Sequence, residues 1–342
     1  MNRINNMIKI AINGFGRIGR AAFKIASQRT DLEITAINDL ANFENLVYLL
    51  KYDSIYGRWD KDIIKEEGKI LMSDKEIKVF AEKDPANLPW KELGIDVVLE
   101  CTGFFTAYEG AKKHLEAGAK KVIISAPPKE SSAQENNIPI YVLGVNTADK
   151  IKEDIISNAS CTTNCIAPIM EILERCFGVE KSLMTTVHAY TATQNLVDGP
   201  ASKDFRRGRA GALNLSPAST GAVLAVTQIL PNLAGKFDGL AIRVPIPVVS
   251  LSDITSVLKK SVSVKELNQL LQAETKSARY AGILDYTEDA VVSSDFIGNP
   301  HSAIIDSFCT RAIDNLVKIG AWYDNEWGYA KRLVDLAEKL EV

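Results

Sequence analysis

The stretch Ile8-Lys9-Ile10-Ala11-Ile12-Asn13-Gly14-Phe15-Gly16-Arg17-Ile18-Gly19-Arg20 decides the fold. Its first five residues are mostly apolar, as a strand buried in a parallel sheet requires. The glycines at 14, 16 and 19 then spell G-x-G-x-x-G, and a helix-like run follows from Arg20 to Ser27. A second strand-like run, Glu33 to Ile37, ends in Asn38-Asp39, so a carboxylate falls twenty residues beyond Gly19. Alone, three spaced glycines mean little. Between two strands, opening a helix and followed by a correctly spaced acid, they form the fingerprint of a dinucleotide site. The turn and the helix N-terminus present amides to a pyrophosphate, which makes Gly14, Phe15, Gly16, Arg17, Ile18 and Gly19 the candidate cofactor residues. Asp39 would accept the ribose 2′-hydroxyl and repel a 2′-phosphate, and Leu40 beside it offers no cation. That favours NAD over NADP.

Strand-like segments recur at 95–101, 121–125 and 140–144, alternating with helical patterns, and right-handed βαβ connections are expected. Their carboxyl ends carry Thr102-Gly103 and Ser125-Ala126-Pro127, which places Thr102 and Ser125 along the same crevice. Residues 158–324 read differently, with longer β-runs at 240–247, 253–258 and 303–309. The fold class is therefore α/β: a doubly wound dinucleotide-binding (Rossmann) domain over 1–157, then an α+β catalytic domain over 158–324. The last segment, 325–342, carries a helix with an apolar stripe (Ala330, Leu333, Val334, Leu336, Ala337, Leu340). The loop from Ala192 to Ser216 is too long for a simple connection, and loops of that length are functional or interfacial.

The chemistry concentrates in Ser157-Asn158-Ala159-Ser160-Cys161-Thr162-Thr163-Asn164-Cys165. A thiol at a strand-to-helix junction sits at the positive end of the helix dipole, which favours the thiolate, and the amides and hydroxyls around it can hold an anion. The plain alternative is a small buried cysteine with a capping hydroxyl. Three histidines are present. His114 follows Lys112-Lys113 on what reads as a solvated helix face, and His301 follows Asn299-Pro300 in a loop. His188 ends an apolar strand-like run, where sheets present functional residues. Cysteine and histidine together point to a Cys161–His188 pair in which the imidazole activates the thiol and lowers its pKa.

Composition bounds the rest. A chain of 342 residues exceeds the usual limit of one core, so two domains are expected. A net charge of −3 gives no electrostatic footprint for nucleic acid or an anionic membrane. Five cysteines, mostly within apolar segments, fit a reducing cytoplasm better than a disulfide framework. No metal-ligand spacing, signal-peptide pattern or membrane-length apolar run occurs, and Met7 reads as an alternative start.

Asn13 to Arg20, Ser157 to Pro168, Thr185 to Gln194, Ala218 to Gly221, Arg243-Val244-Pro245 and Trp322 to Tyr329 resemble, in order, phosphorylating glyceraldehyde-3-phosphate dehydrogenases, over roughly residues 7 to 340. The resemblance implies Cys161 as nucleophile and His188 as acid–base. It implies Thr191, Arg207 and Arg243 with Ser160, Thr162, Thr220 and Gly221 around two phosphate sites. It also implies Asn325 and Lys83 as cofactor contacts, an inert buried Cys165, and a closing helix that packs back on the first domain. The substrates implied are glyceraldehyde 3-phosphate, inorganic phosphate and NAD, and the assembly a homotetramer in which the long loop meets a neighbouring subunit. Leu224, Ile246 and Val248 depart from the commoner Lys, Thr and Asn. Erythrose-4-phosphate dehydrogenase is the alternative within the same fold. A cysteine hydrolase would need no dinucleotide fingerprint, and a non-catalytic RNA-binding protein would need neither Cys161 nor His188.

Overall fold

The computed structural model describes residues 7–73, 75–129, 136–201 and 204–342. They form two compact units, one from the described residues up to Tyr141 with Thr147–Ala159 and Ala330–Val342, the other from Val142–Asn146 and the described residues of Ser160–Tyr329. The division falls after Ala159, and the chain returns to the first unit at Ala330.

In the first unit, strand β1 (Ile8–Asn13) leads through the glycine turn into helix α1 (Arg17–Ala26) and strand β2 (Leu32–Asn38). Helix α2 (Phe43–Lys51), the short pair β3 (Tyr52–Asp53) and β4 (Gly57–Arg58), and strands β5 (Ile64–Glu66), β6 (Lys69–Met72) and β7 (Lys75–Phe80) follow. Helix α3 (Trp90–Leu93), β8 (Val97–Glu100), α4 (Tyr108–Glu116), β9 (Lys121–Ile124) and β10 (Ile155–Ser157) complete the unit's sheet. The sheet order is β10-β9-β8-β1-β2-β7-β6-β5. Its first six strands pair in parallel, and β6 and β5 add an antiparallel edge. β1 is central, and the chain leaves it to opposite sides, toward β2 and β8, so a crevice opens at the strands' carboxyl ends. β8 and β9 are buried along their whole length, as parallel strands covered on both faces should be.

Two readings of this unit need correction. The run 140–144 is not a strand. Ile140 makes a single bridge to Ser157, and the chain then turns over 143–146. Gly144 takes a positive φ of 81°, and Asn146 Oδ1 takes the Val142 amide at 2.8 Å, so the extended pattern is broken locally. His114 is not on a solvated face but fully buried. Ala111 and His114, three apart on α4, face the sheet, and the flanking lysines carry the solvated side.

The second unit is a seven-stranded mixed sheet in the order β12-β13-β11-β14-β17-β16-β15. Helix α5 (Cys161–Phe177) opens it, followed by β11 (Val179–Ala189), β12 (Ser216–Ala218), α6 (Ala222–Ile229) and β13 (Phe237–Val244). The chain continues through β14 (Ser250–Leu258), α7 (Val264–Thr275), β15 (Leu284–Thr287), β16 (Ala303–Ile313) and β17 (Leu316–Tyr323), and closes with α8 (Trp327–Ala337), which from Ala330 on belongs to the first unit. β13 ends before Pro245, which has no amide to give the ladder. β14 alternates buried and half-buried residues along its length. Its Ile254 and Leu258 join Ile166, Ile169, Met170 and Leu173 of α5 in one apolar cluster with Ile305, Val317 and Ile319. A capping box between Ser263 and Glu266 starts α7.

Candidate active site

The crevice of the first unit is built by the glycine turn. Gly14, at φ 91°, donates its amide to Asn38 O at 2.8 Å. A Cβ on Gly14 would lie 2.6 Å from Thr102 N, and one on Gly19 2.1 Å from Gly14 O. The first glycine therefore lets two turns touch, and the third lets α1 sit against β1. A Cβ on Gly16 would meet nothing within 4 Å, because that position faces the open crevice. The crevice encloses about 760 Å³, lined by residues that include Asn13, Gly14, Gly16, Asp39, Lys83 and Thr102. Asp39 is held toward it by the Phe15 amide at 2.6 Å and the Ala41 amide at 2.9 Å. A backbone cradle that a Cβ would fill, with a carboxylate at its edge, fits a dinucleotide diphosphate and its ribose.

Not every fingerprint residue lines that space. The Phe15 ring packs edge-on against Phe23 at 5.5 Å, in the core. Arg17 is bonded to Asp53 at 2.9 Å and lies over the Tyr56 ring, so near the crevice it contributes the first turn of α1 rather than its charge. Ile18, Gly19 and Ser125 are not among the lining residues. Phe104, Phe105 and Lys113 do line the crevice and had no signal in the sequence beyond following Thr102 or sitting on α4.

In the second unit Ser160 caps α5, its hydroxyl accepting the Thr163 amide at 3.1 Å, so Cys161 is the first helical residue. β11 ends at His188-Ala189, and His188 stands opposite Arg243 in the β11–β13 register. The Cys161 Sγ lies 3.5 Å from His188 Nε2. On the other side of the ring, Nδ1 is 2.7 Å from Ala189 O and 2.8 Å from Arg243 Nη1. Arg243 also donates to Ala189 O at 3.0 Å. The Ala189 carbonyl can only accept and so selects the Nδ1–H tautomer, in which the Nε2 lone pair faces the thiol. The Arg243 Nη1 approach to Nδ1 is then a close contact of two donors sharing that carbonyl rather than a hydrogen bond.

Burial and, after it, the Arg243 charge push the His188 pKa down to about 3. Burial likewise raises the Cys161 thiol, while the Arg243 charge and hydrogen bonding from Thr162 pull it back. The expected lowering of the thiol pKa by His188 is therefore corrected: burial leaves the thiol above its ordinary value. The imidazole is neutral at neutral pH, so it is poised as a base, and the support for the thiolate comes from Arg243 and Thr162. Cys165, one turn along α5, is fully buried against Ser252, and burial lifts it to about 12.

The remaining predicted residues divide by engagement. Thr162 is buried, its hydroxyl 3.0 Å from Tyr323 OH, which also meets Thr186 at 2.7 Å. Tyr323 thereby links the starts and ends of the two catalytic elements, a role no local pattern announced. Thr191 Oγ1 meets Thr193 Oγ1 at 2.9 Å, and Arg207 Nη1 reaches Thr193 at 3.2 Å. The Arg207 charge opposes protonation of both His188 and Arg243, so two guanidinium groups share this neighbourhood and would welcome an anion. Thr220 takes the Ala222 amide at 3.2 Å, and Gly221 precedes α6 with open space at its Cβ. Asn325 is buried with Oδ1 accepting from Ser250 Oγ at 3.1 Å. Among the described residues no group of His, Cys, Asp and Glu would hold a metal ion, and no helix is long and apolar enough to cross a membrane.

A dinucleotide crevice in one unit and a thiol–imidazole pair in the other define a class: dehydrogenases that oxidise through an enzyme thiol. Comparison with known proteins narrows the class. Residues 8–108 match the NAD binding domain of glyceraldehyde 3-phosphate dehydrogenase, and residues 160–325 match its C-terminal domain. Glyceraldehyde-3-phosphate dehydrogenase of Bacteroides fragilis is 50% identical over 337 residues, covering 98% of this chain and 99% of that protein. Glyceraldehyde-3-phosphate dehydrogenase A of Escherichia coli is 48% identical over 330 residues, covering 96% and 98%. The chain belongs to the glyceraldehyde-3-phosphate dehydrogenase family, and it is an NAD-dependent oxidoreductase with NAD as its cofactor.

Proposed function

We propose that the chain oxidises glyceraldehyde 3-phosphate in glycolysis or gluconeogenesis, with inorganic phosphate as co-substrate and 1,3-bisphosphoglycerate as product. The observation that carries the mechanism is the 3.5 Å approach of Cys161 Sγ to a neutral His188 Nε2. His188 takes the thiol proton as sulfur adds to the aldehyde carbon and returns it to the carbonyl oxygen, which gives a thiohemiacetal and leaves the imidazole neutral again. Gly14, Gly16, Asp39, Lys83 and Thr102 would hold NAD, Asn325 would meet its nicotinamide amide, and the bound cofactor would supply a two-electron acceptor. His188 takes the thiohemiacetal hydroxyl proton as the carbon is oxidised, and the product is a Cys161 thioester. Phosphate attacks the thioester carbonyl, the Cys161 thiolate leaves, and the acyl phosphate departs. Thr191, Arg207 and Arg243 would hold the substrate phosphate, since paired guanidinium groups suit a dianion. Ser160, Thr162, Thr220 and Gly221 would surround the acyl group and the attacking phosphate.

We place the enzyme in the cytoplasm as a homotetramer. Support for assembly comes from large apolar side chains left exposed on the long loop and sheet face, among them Leu196, Val197, Phe205, Leu213, Leu183 and Phe308. Nothing favours the erythrose-4-phosphate alternative. The test is reduction of NAD with glyceraldehyde 3-phosphate, with and without inorganic phosphate, against erythrose 4-phosphate. Phosphate-independent turnover, or preference for the longer aldehyde, would overturn the assignment.

A further inference from the structure

We propose that His114 is a positioning residue for NAD binding, acting through Glu100 on Thr102 and Asn13. The proposal rests on reading the first unit's crevice as the NAD site.

The tautomer of His114 follows from its partners. The Trp90 indole Nε1 can only donate, and it lies 3.0 Å from His114 Nδ1. Nδ1 therefore accepts, and the ring carries its proton on Nε2, 3.1 Å from Glu100 Oε2. The same oxygen accepts Asn13 Nδ2 at 2.5 Å, and Oε1 accepts the Thr102 amide at 2.8 Å and the Thr102 hydroxyl. Glu100 is thus a buried carboxylate with four donors, two of them on one crevice residue and one on another.

The consequences reach the crevice wall. The Thr102 hydroxyl, donating its hydrogen bond to Glu100, accepts the Phe104 amide at 3.0 Å, which sets the 102–104 turn. That turn is the surface on which the Gly14 backbone rests, as the 2.6 Å approach of a Cβ there shows. On the other side, Asn13 Oδ1 accepts from Asn38 at 2.7 Å, and Asn38 clamps the Glu82 backbone at 2.9 and 2.8 Å, next to Lys83. His114, Glu100, Asn13 and Asn38 are all buried. A carboxylate deprived of a donor in such a place pulls on those that remain, because an unmet buried acceptor is costly and networks act jointly. Without His114 the carboxylate turns, and Thr102 and Asn13 turn with it.

The test uses the full-length enzyme and three variants: His114→Phe, His114→Gln and, as a reference for the crevice itself, Asp39→Ala. NAD affinity is measured by calorimetry, alongside KM for NAD, kcat and the rate at which iodoacetamide alkylates Cys161 without cofactor. His114→Phe should weaken NAD binding by roughly tenfold, the effect of a crevice wall whose Thr102 and Asn13 are no longer held in place. KM for NAD should rise with kcat and alkylation holding. His114→Gln, whose amide can replace the Nε2–H donor, should recover most of the affinity. Wild-type NAD affinity in His114→Phe, with only thermal stability lowered, would overturn the proposal and leave His114 a packing residue. If Asp39→Ala also bound NAD normally, the reading of the crevice would fall with it; if only Asp39→Ala lost affinity, the crevice stands and the role of His114 alone is refuted. Should His114→Phe not fold, Trp90→Phe removes the N–H that sets the tautomer. A several-fold loss of NAD affinity in it supports the proposal, and an unchanged affinity overturns it.

Discussion

Replacing Arg243 with Gln removes the charge that the structure sets against burial at the Cys161 thiol. The guanidinium contacts His188 Nδ1 at 2.8 Å, and His188 Nε2 contacts the sulfur at 3.5 Å. With the width of the ring between them, charge and sulfur lie within roughly 8.5 Å, where a unit charge at an effective dielectric constant of about 20 is worth about 2 kcal/mol. The sign is fixed by the acid. The thiolate loses a favourable cation, so the thiol pKa rises further above its ordinary value, and below that pKa the thiolate fraction falls roughly 25-fold. The His188 pKa rises too, but back toward its ordinary value: its imidazolium no longer faces a like charge, while burial still holds it down. The assay is the pseudo-first-order rate of alkylation by iodoacetamide in the absence of cofactor, followed across pH. The variant should be slower through the neutral range and converge on the parent at high pH. Superimposable profiles would refute the argument that Arg243 supports the thiolate.

Cys161→Ser should abolish aldehyde oxidation, while Cys165→Ser should keep the nucleophile working because Cys165 is buried and lifted to about 12; reversed outcomes in the NAD-reduction assay would sink the assignment. His188→Asn should lower kcat by a factor on the order of 10²–10⁴, yet slow alkylation at neutral pH less than Arg243→Gln does, since the lost ring is neutral there; a larger effect on alkylation would show that the pair is ionised. Asp39→Ala should narrow the preference for NAD over NADP, as the carboxylate facing a 2′-phosphate disappears, which the two kcat/KM values check. Gly19→Ala places a Cβ 2.1 Å from Gly14 O and should cost NAD binding outright in a calorimetric titration; normal affinity would mean that α1 can shift freely against β1.

How much of this could be read beforehand depends on how local the determinant was. Asp39 was legible because strand, turn, helix and strand each have a short-range period, and their sum fixes where the acid falls. Cys161 was legible for a similar reason: a helix start is written in adjacent residues, and Ser160 does cap α5. His114 was misread because one helix face between lysines looks the same whether it meets water or a sheet. Only Ala111 and the arrival of Trp90, 24 residues upstream, distinguish the two. The strand expected at 140–144 failed because its pairing partner, Ser157, lies beyond a long excursion and offers one bridge.

By itself, then, the sequence determined the doubly wound first domain, the different second one, the thiol and the family resemblance, since each rests on residues close in the chain. Tertiary structure decided the protonation logic. Arg243 stands beside His188 because β11 and β13 pair in parallel, some 55 residues apart. Tyr323 joins Thr162 to Thr186 across 161 and 137 residues. Charge and burial act through space, and the neutral imidazole facing the thiol arises only where the folded sheet brings those distant groups together and shuts out water.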